Sequence, residues 1–149
     1  MCWKPYELST AKTGLVYDPM VDRYKHCGQS DQAEVVMVKH RMVGLCPRDL
    51  TIETAQQLLD ESIEEFRETR PERPVARWNV HKGVVYQARP SDWPGRWHGY
   101  PVKVRLKEKG EEKAKVRGKI KIPSEILTEL RARAASAGHE GRLEEWLES

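Results

Sequence analysis

The sequence predicts an α+β fold with a mainly antiparallel sheet, one long acidic helix over about residues 51–69 and a carboxy-terminal helix pair. Three observations support this prediction. Apolar residues recur at helical spacing over 51–69, strand-like segments flank a Lys82-Gly83 turn, and helical spacing returns after residue 123. Together they give a sheet with helices before and after it.

The long helix has the most regular pattern in the chain. Its apolar residues are spaced three and four positions apart: Ile52, Ala55, Leu59, Ile63 and Phe66. Its opposite face is acidic: Glu53, Asp60, Glu61, Glu64 and Glu68. Asp49 or Thr51 can cap its first turn. The helix is expected to end before Pro71 and Pro74. This pattern predicts a helix with one face on the core and one face in water.

The domain organisation follows from where the elements fall. Residues 1–47 read as a β-rich amino-terminal segment, with strands over 13–17 and 34–43, because the second stretch is rich in valine. Residues 48–149 read as an α+β domain. At 149 residues the two parts also fit one continuous small domain, and both organisations stay open.

The second half of the chain supplies the sheet and the last helices. Residues 76–81 and 84–89 flank Lys82-Gly83 as a β-hairpin, and further strands extend to residue 122. A helix is predicted from Pro123-Ser124 to Gly138, followed by a short amphipathic helical turn with Leu143, Trp146 and Leu147.

Charge is distributed unevenly along the chain. The formal net charge is only +3. Residues 53–72 hold seven acidic and two basic residues, a net of −5, whereas residues 103–121 hold nine basic and three acidic residues, a net of +6. The basicity is therefore local, and it points to a charged partner at one place on the molecule.

Composition also indicates where the protein works. No stretch approaches the roughly 20 apolar residues of a membrane span, so we expect a cytoplasmic protein with no membrane partner. Cys2, Cys27 and Cys46 are too few for a disulfide framework and are expected to be reduced thiols. Together with His26 and His40 they lack zinc-ligand spacing, and we predict neither a metal site nor a cofactor.

Residues 103–121, called the basic segment here, carry the strongest functional pattern. Every second residue is basic on two predicted strands: Lys103, Arg105, Lys107 and Lys109, then Lys113, Lys115, Arg117, Lys119 and Lys121. An antiparallel hairpin would place all nine on one face, opposite an apolar face. We predict that this face binds nucleic acid through backbone contacts with low sequence specificity.

Two other interpretations of the basic segment remain open. Lysine on a strand edge also prevents sheets from joining edge to edge, in which case the face is simply solvated. Alternatively, an acidic partner neutralises it: the acidic helix of the same chain, a second copy in a homodimer, or another protein bound by an interaction module.

Aromatic residues before the basic segment favour RNA or single strands. Trp93 and Trp97 flank a loop with Pro94 and Gly95, and exposed tryptophans there could stack on unpaired bases. Trp78 and Tyr86 share strand parity with apolar neighbours and are expected to point inward.

An enzymatic alternative uses the same region. A metal-independent ribonuclease needs a base, an acid and cations around the phosphate. His81 and His98 could form the acid–base pair, with Lys82, Arg96 and Tyr100 in support. A helix followed by antiparallel strands also resembles the plan of several small toxin ribonucleases. No glycine-rich phosphate loop, GxSxG or HExxH motif is present in the sequence.

Overall fold

The computed structural model describes residues 14–18, 30–91, 95–106 and 119–149. Within these ranges it contains the following elements in chain order: β1 Val16–Tyr17, β2 Glu34–Val38, β3 Arg41–Leu45, α1 Ile52–Asp60, β4 Ile63–Glu65, β5 Ala76–His81, β6 Val84–Pro90, β7 Arg96–Pro101, β8 Val104–Arg105, β9 Ile120–Lys121, α2 Ser124–Ser136 and α3 Glu140–Glu148. The fold is α+β, as the sequence predicts. None of the three described helices is long and apolar enough to cross a membrane.

The main sheet has five strands in the order β1-β7-β6-β5-β4. The pairings among β4, β5, β6 and β7 are antiparallel, whereas β1 lies parallel to β7, with Val16 opposite Arg96. The sheet is therefore mixed, and the expectation of a mainly antiparallel sheet has to be corrected to that extent. β1 brings a piece of the amino-terminal segment into the same sheet as the rest of the chain.

The long acidic helix predicted over 51–69 is much shorter in the structure. Thr51 caps α1, because its hydroxyl accepts the Thr54 N–H at 3.1 Å, but the helix ends at Asp60. The chain then forms β4, which pairs with β5, so Ile63 lies opposite Trp78. Phe66, expected on the apolar face of that helix, is 50 % exposed after β4. Pairing with β5 outweighs the local helical spacing.

The hairpin of β5 and β6 follows the sequence prediction closely. Lys82 and Gly83 form its turn with φ of 49° and 79°, the left-handed values that a two-residue hairpin turn requires. A Cβ at Gly83 would also lie 2.5 Å from the Cβ of Arg142. Glycine at this position therefore serves both the turn and the close packing of α3 against it.

Helices cover the two faces of the sheet unequally. On one side, here the α1 face, Tyr17, Tyr86 and Trp97 pack with Ala55 and Leu59 of α1. The other side, here called the α2–α3 face, has a separate core. Its buried members are Ala76, Trp78, Val85, Val102, Val104, Ile122, Ile126, Leu130, Ala134, Leu143 and Leu147. The second core contains both carboxy-terminal helices, in agreement with the predicted helix pair.

β2 and β3 form a separate two-stranded hairpin. Its turn is Lys39-His40, with φ of 46° and 67°. At the base of the hairpin a Cβ on Gly44 would lie 2.0 Å from the Pro101 carbonyl oxygen, so glycine permits close contact with β7. Met37 and Met42 near the turn are 51 % and 36 % exposed.

The basic segment differs from the predicted antiparallel hairpin. β8 and β9 pair in parallel, with Val104 opposite Ile120 and Arg105 opposite Lys121. The predicted alternation between faces is retained where it is described: Val104 is buried, while Arg105 is half-buried and Lys121 is exposed. The parallel pairing anchors both ends of the segment beside α2 and α3.

Candidate nucleic-acid interface

Only part of the predicted binding surface falls within the described residues. Lys103, Arg105, Lys119, Lys121 and Trp97 are described. The remaining predicted contacts lie outside the described residues: Lys107, Lys109, Lys113, Lys115, Arg117 and Trp93. The geometry of the basic segment is therefore known at its two ends.

Lys103 is engaged with the carboxy-terminal helix. Its Nζ lies 3.4 Å from the centre of the Trp146 ring and donates to the Trp146 carbonyl oxygen at 3.3 Å, and it also contacts the Ser149 hydroxyl. Burial, followed by the charge of Lys119, lowers the pKa of Lys103. This cation stabilises the end of α3 and is a poor candidate for a phosphate contact.

Arg105 and Lys121 are neighbours across the β8–β9 pair. Like charges at such a position destabilise strand pairing unless an anion lies near them. The ion pairs among described residues join Arg48 to Asp31, Arg77 to Glu64, Lys82 to Asp49, Arg131 to Glu144 and Arg133 to Glu129. Within the described residues, no ion pair connects the basic segment to acidic residues 53–72. α1 packs on the opposite side of the sheet from β8 and β9.

Trp97, predicted as a stacking platform, is buried instead. It is 6 % exposed and packs in the core beneath α1. The Arg77 guanidinium lies 4.8 Å from the centre of its ring. Ala88 of β6 lies opposite Arg77, and Gly99 of β7 lies opposite Ala88. Because both residues are small, they leave room for the arginine side chain to reach the indole. The contact between this arginine and this tryptophan is therefore part of the core.

His81 and His98 are not brought together. His81 lies opposite Val84 at one end of β6, and His98 lies opposite Arg89 near the other end, about 17 Å further along that strand. They also project to opposite faces, because His98 shares the face of Tyr100 and His81 shares that of Tyr86. One phosphate cannot contact both imidazoles in this arrangement.

His81 borders a polar cleft of about 780 Å³ between the β5–β6 turn and α3. Asp49 and Lys82 line the same cleft and form a 3.9 Å ion pair, and Arg142 and Glu145 line it from α3. Burial, then Lys82 and His139, lower the pKa of His81, and Asp49 partly offsets this. The cleft holds both signs of charge and does not select an anion.

A second group of polar side chains lies on the α2–α3 face beyond the apolar core. We call it the β6–β7 patch, and its members are Gln87, Arg89, Ser91, Arg96, His98 and Tyr100. They share a face because Arg96, His98 and Tyr100 alternate along β7, and Arg89 lies directly opposite His98. Three residues predicted as nuclease groups, Arg96, His98 and Tyr100, are thus brought together here, while His81 and Lys82 are not.

Contacts within the patch orient its rings and its guanidinium group. The centres of the His98 and Tyr100 rings are 5.8 Å apart, with 32° between their planes. Ser91 Oγ lies 3.3 Å from His98 Nδ1, and the Tyr100 hydroxyl donates to Gln87 Oε1 at 3.5 Å. Arg89 Nη1 donates to the Val75 carbonyl at 3.5 Å. Burial raises the pKa of Tyr100, and the nearby Arg89 partly offsets the rise.

Sequence reasoning missed two contributors to this surface. Arg89 lies on a predicted strand, and its alternation with the inward-pointing Ala88 was the signal that could have placed it on the polar face. Glu65 lies on the same face, where its Oε1 accepts the Trp78 Nε1–H at 2.9 Å. It was missed because residues 61–69 were predicted as helix.

The cysteine and metal predictions concern only a few described residues. Cys46 is a buried free thiol, and burial raises its pKa to about 12. Within the described ranges no three histidine, cysteine, aspartate or glutamate side chains are grouped as a metal ion would require. Cys2, His26 and Cys27 lie outside those ranges.

Comparisons with protein-family models, with curated proteins and with solved structures found no match.

Proposed function

We propose that the protein binds nucleic acid, with single-stranded RNA favoured, through the β6–β7 patch and the basic segment that follows it. The observation that supports this most is the alignment of Arg89, Arg96, His98 and Tyr100 on one half of a sheet face. The other half of that face is packed against α2 and α3. The four side chains are half-buried, so each keeps part of its surface at the solvent boundary.

The residue types suit a flexible single strand. Arginine offers several N–H donors to phosphate oxygens, and two arginines on neighbouring strands can contact successive phosphates. The adjacent rings of His98 and Tyr100 provide aromatic surface on which unpaired bases can stack. Sheet surfaces that combine aromatic rings with cations are a common way to bind single-stranded RNA.

The basic segment follows the patch along the chain. β7 ends at Pro101, and Arg105 follows four residues later in β8, next to Lys121 of β9. A phosphate beside Arg105 and Lys121 would supply the anion that reduces their mutual repulsion. The proposed contacts are to the backbone, so we expect weak sequence preference.

The test is a salt titration of binding to fluorescent single-stranded RNA, single-stranded DNA and duplex DNA of matched sequence. The test variant replaces Arg89 and Arg96 with glutamine. Each phosphate contact on a single strand contributes about −0.7 to the slope of log affinity against log salt, so the variant should lose about 1.4 in slope. The control variant replaces Arg48 and Arg131 with glutamine as well. These two arginines form ion pairs with Asp31 and Glu144, away from the patch.

The expected result is salt-sensitive binding that weakens in the test variant and persists in the control. Absence of salt-sensitive binding to all three nucleic acids would contradict the proposal. Equal loss in both variants would show that only net charge matters and would contradict the patch as the site. Capture of an acidic protein that survives nuclease treatment, with no nucleic-acid binding, would favour the interaction-module alternative.

A further inference from the structure

The β2–β3 hairpin carries most of the exposed apolar surface of the described residues. Four large hydrophobic side chains are exposed among those residues, and three of them belong to this hairpin: Met37, Val38 and Met42. Clustered apolar side chains on a surface are typical of an interaction site. Within the described ranges, β2 and β3 also form a sheet of only two strands. Two strands alone are marginally stable in water, so a further strand would stabilise them.

The outer edge of β2 can accept such a strand. The hairpin turn has two residues, so Val38 and Arg41 form the hydrogen-bonded pair that closes it. Hydrogen bonding alternates along an antiparallel strand, so the backbone groups of Val35 and Met37 point away from β3. In the part of the chain that the structure describes, β2 pairs with β3 alone. These outward N–H and C=O groups form the edge at which another strand can pair.

The charges of the hairpin are separated along its length. Glu34 is exposed at the base, whereas Lys39, His40 and Arg41 are exposed at the turn. Among the ion pairs of the described ranges, none involves Glu34 or Arg41. A second hairpin that runs antiparallel to this one would place its basic turn beside this acidic base. The charges therefore favour another copy of the same hairpin as the occupant, related by a twofold axis.

We propose that two copies of this chain associate by pairing β2 with β2 of the second copy, antiparallel and centred on Val36. This register matches the outward backbone groups, because it places Val35 of one copy opposite Met37 of the other. The two hairpins then form one four-stranded sheet in the order β3-β2-β2-β3. This self-association does not depend on the nucleic-acid binding proposed above.

The register gives apolar side chains apolar neighbours. Val36 lies opposite Val43 within each hairpin, so the central row of the four-stranded sheet contains these two valines from each copy. In the next row, Met37 packs beside Val35 of the second copy. Met37 is 51 % exposed in the single chain, and this contact removes part of that surface from water.

Charged side chains meet at both ends of the four-stranded sheet. Glu34 lies opposite Val38 of the second copy, and within that copy Val38 lies opposite Arg41. The Cα atoms of Glu34 and Arg41 are then about 10 Å apart, a distance that the two long side chains span on one face. The twofold axis produces this pair twice, and opposite charges on one face of a sheet stabilise it.

Disulfide cross-linking of the full chain tests the register. Cys2 and Cys27 are replaced by serine, which leaves the buried Cys46. Val36→Cys is the test variant, because its two copies lie opposite each other with Cα atoms about 4.5 Å apart. Val38→Cys is the matched control, because its two copies lie four residues apart along the strands, about 14 Å. We expect a covalent dimer from the oxidised test variant and none from the control.

Sedimentation of the nuclease-treated chain over a range of concentrations tests the charge pair. Glu34→Arg and Arg41→Glu should each raise the dissociation constant of the dimer about tenfold, because two pairs of opposite charge become two pairs of like charge. The double variant restores opposite charges and should recover most of the affinity. The controls are Glu125→Arg and Arg73→Glu, at exposed positions outside the hairpin, and they should leave the dimer unchanged.

Four results would overturn the proposal. The first is a chain that stays monomeric at every concentration. The second is equal cross-linking of the two cysteine variants, which contradicts pairing centred on Val36. The third is a double charge variant that dissociates as readily as the single variants, because Glu34 and Arg41 of two copies then do not meet. The fourth is association that nuclease treatment abolishes, because nucleic acid then bridges the two copies.

Discussion

The two faces of the main sheet use the same residue types for different purposes. On the α1 face, Arg77 lies over the ring of Trp97 and pairs with Glu64, and this group is packed beneath a helix. On the α2–α3 face, Arg89 lies opposite His98 and beside Tyr100, past the edge of the apolar core. Arginines interleaved with aromatics are therefore a structural feature on one face and a candidate binding surface on the other. What covers the side chains distinguishes the two.

The largest expected difference between the faces is in stability on losing an aromatic ring. Trp97→Ala removes a buried indole from the core under α1 and should lower the free energy of unfolding by about 3–5 kcal/mol. Tyr100→Ala removes a half-buried ring and should lower it by less, while weakening RNA binding by about 1–3 kcal/mol. Urea unfolding and binding titrations measure the two effects. Similar losses of stability in both variants would contradict the assignment of the faces.

Replacing Arg77 and Arg89 in separate variants should distinguish an effect on stability from an effect on binding. Arg77→Met loses the contact with Trp97 and the ion pair with Glu64, whose own side chain is partly exposed. We expect a loss of about 1–2 kcal/mol in unfolding free energy with unchanged RNA affinity. Arg89→Met should change stability little and reduce the salt slope of binding by about 0.7. Weaker RNA binding by Arg77→Met, with unchanged binding by Arg89→Met, would contradict the proposed difference between the two faces.

Within the basic segment, a smaller contrast is expected between an engaged and an exposed lysine. Lys103→Met loses the contact with Trp146 and should cost about 1 kcal/mol in unfolding free energy. Lys121→Met, at an exposed position, should change it by less than about 0.5 kcal/mol. Thermal unfolding at matched salt measures both variants. A larger loss for Lys121 would mean that the contact between Lys103 and α3 contributes little to stability.

The smallest effect concerns pH and His81 on the α1 face. Burial, Lys82 and His139 lower the folded pKa of His81 below its ordinary value of 6.5. Between these two pKa values the unfolded chain binds more protons, so the unfolding free energy increases as pH rises through that window and levels off above it. His81→Gln should therefore lose less stability than the wild type between pH 7 and pH 5. Urea unfolding at both pH values, with His40→Gln as control, gives the comparison, and identical pH dependence in wild type and His81→Gln would contradict it.

Part of the candidate site could be read from the chain and part could not. The alternation of Arg96, His98 and Tyr100 along one strand puts them on one face from sequence alone. The positions of Glu65 and Trp97 could not be obtained in this way. Glu65 follows a helical apolar pattern that extends past the end of α1, and Trp97 has the same flanking loop residues as an exposed tryptophan would have.

The sequence by itself determined the elements whose causes are local: the Lys82-Gly83 hairpin with its left-handed backbone, the capped start of α1, and the last two helices. Only the tertiary structure decided that residues 63–65 pair with β5, that β8 and β9 run parallel, and that His81 and His98 lie on opposite faces. Turn and cap chemistry acts between residues close in sequence, whereas strand pairing and burial depend on partners far along the chain. For that reason the chain alone located the polar strands, and packing of the helices decided which part of each sheet face they cover.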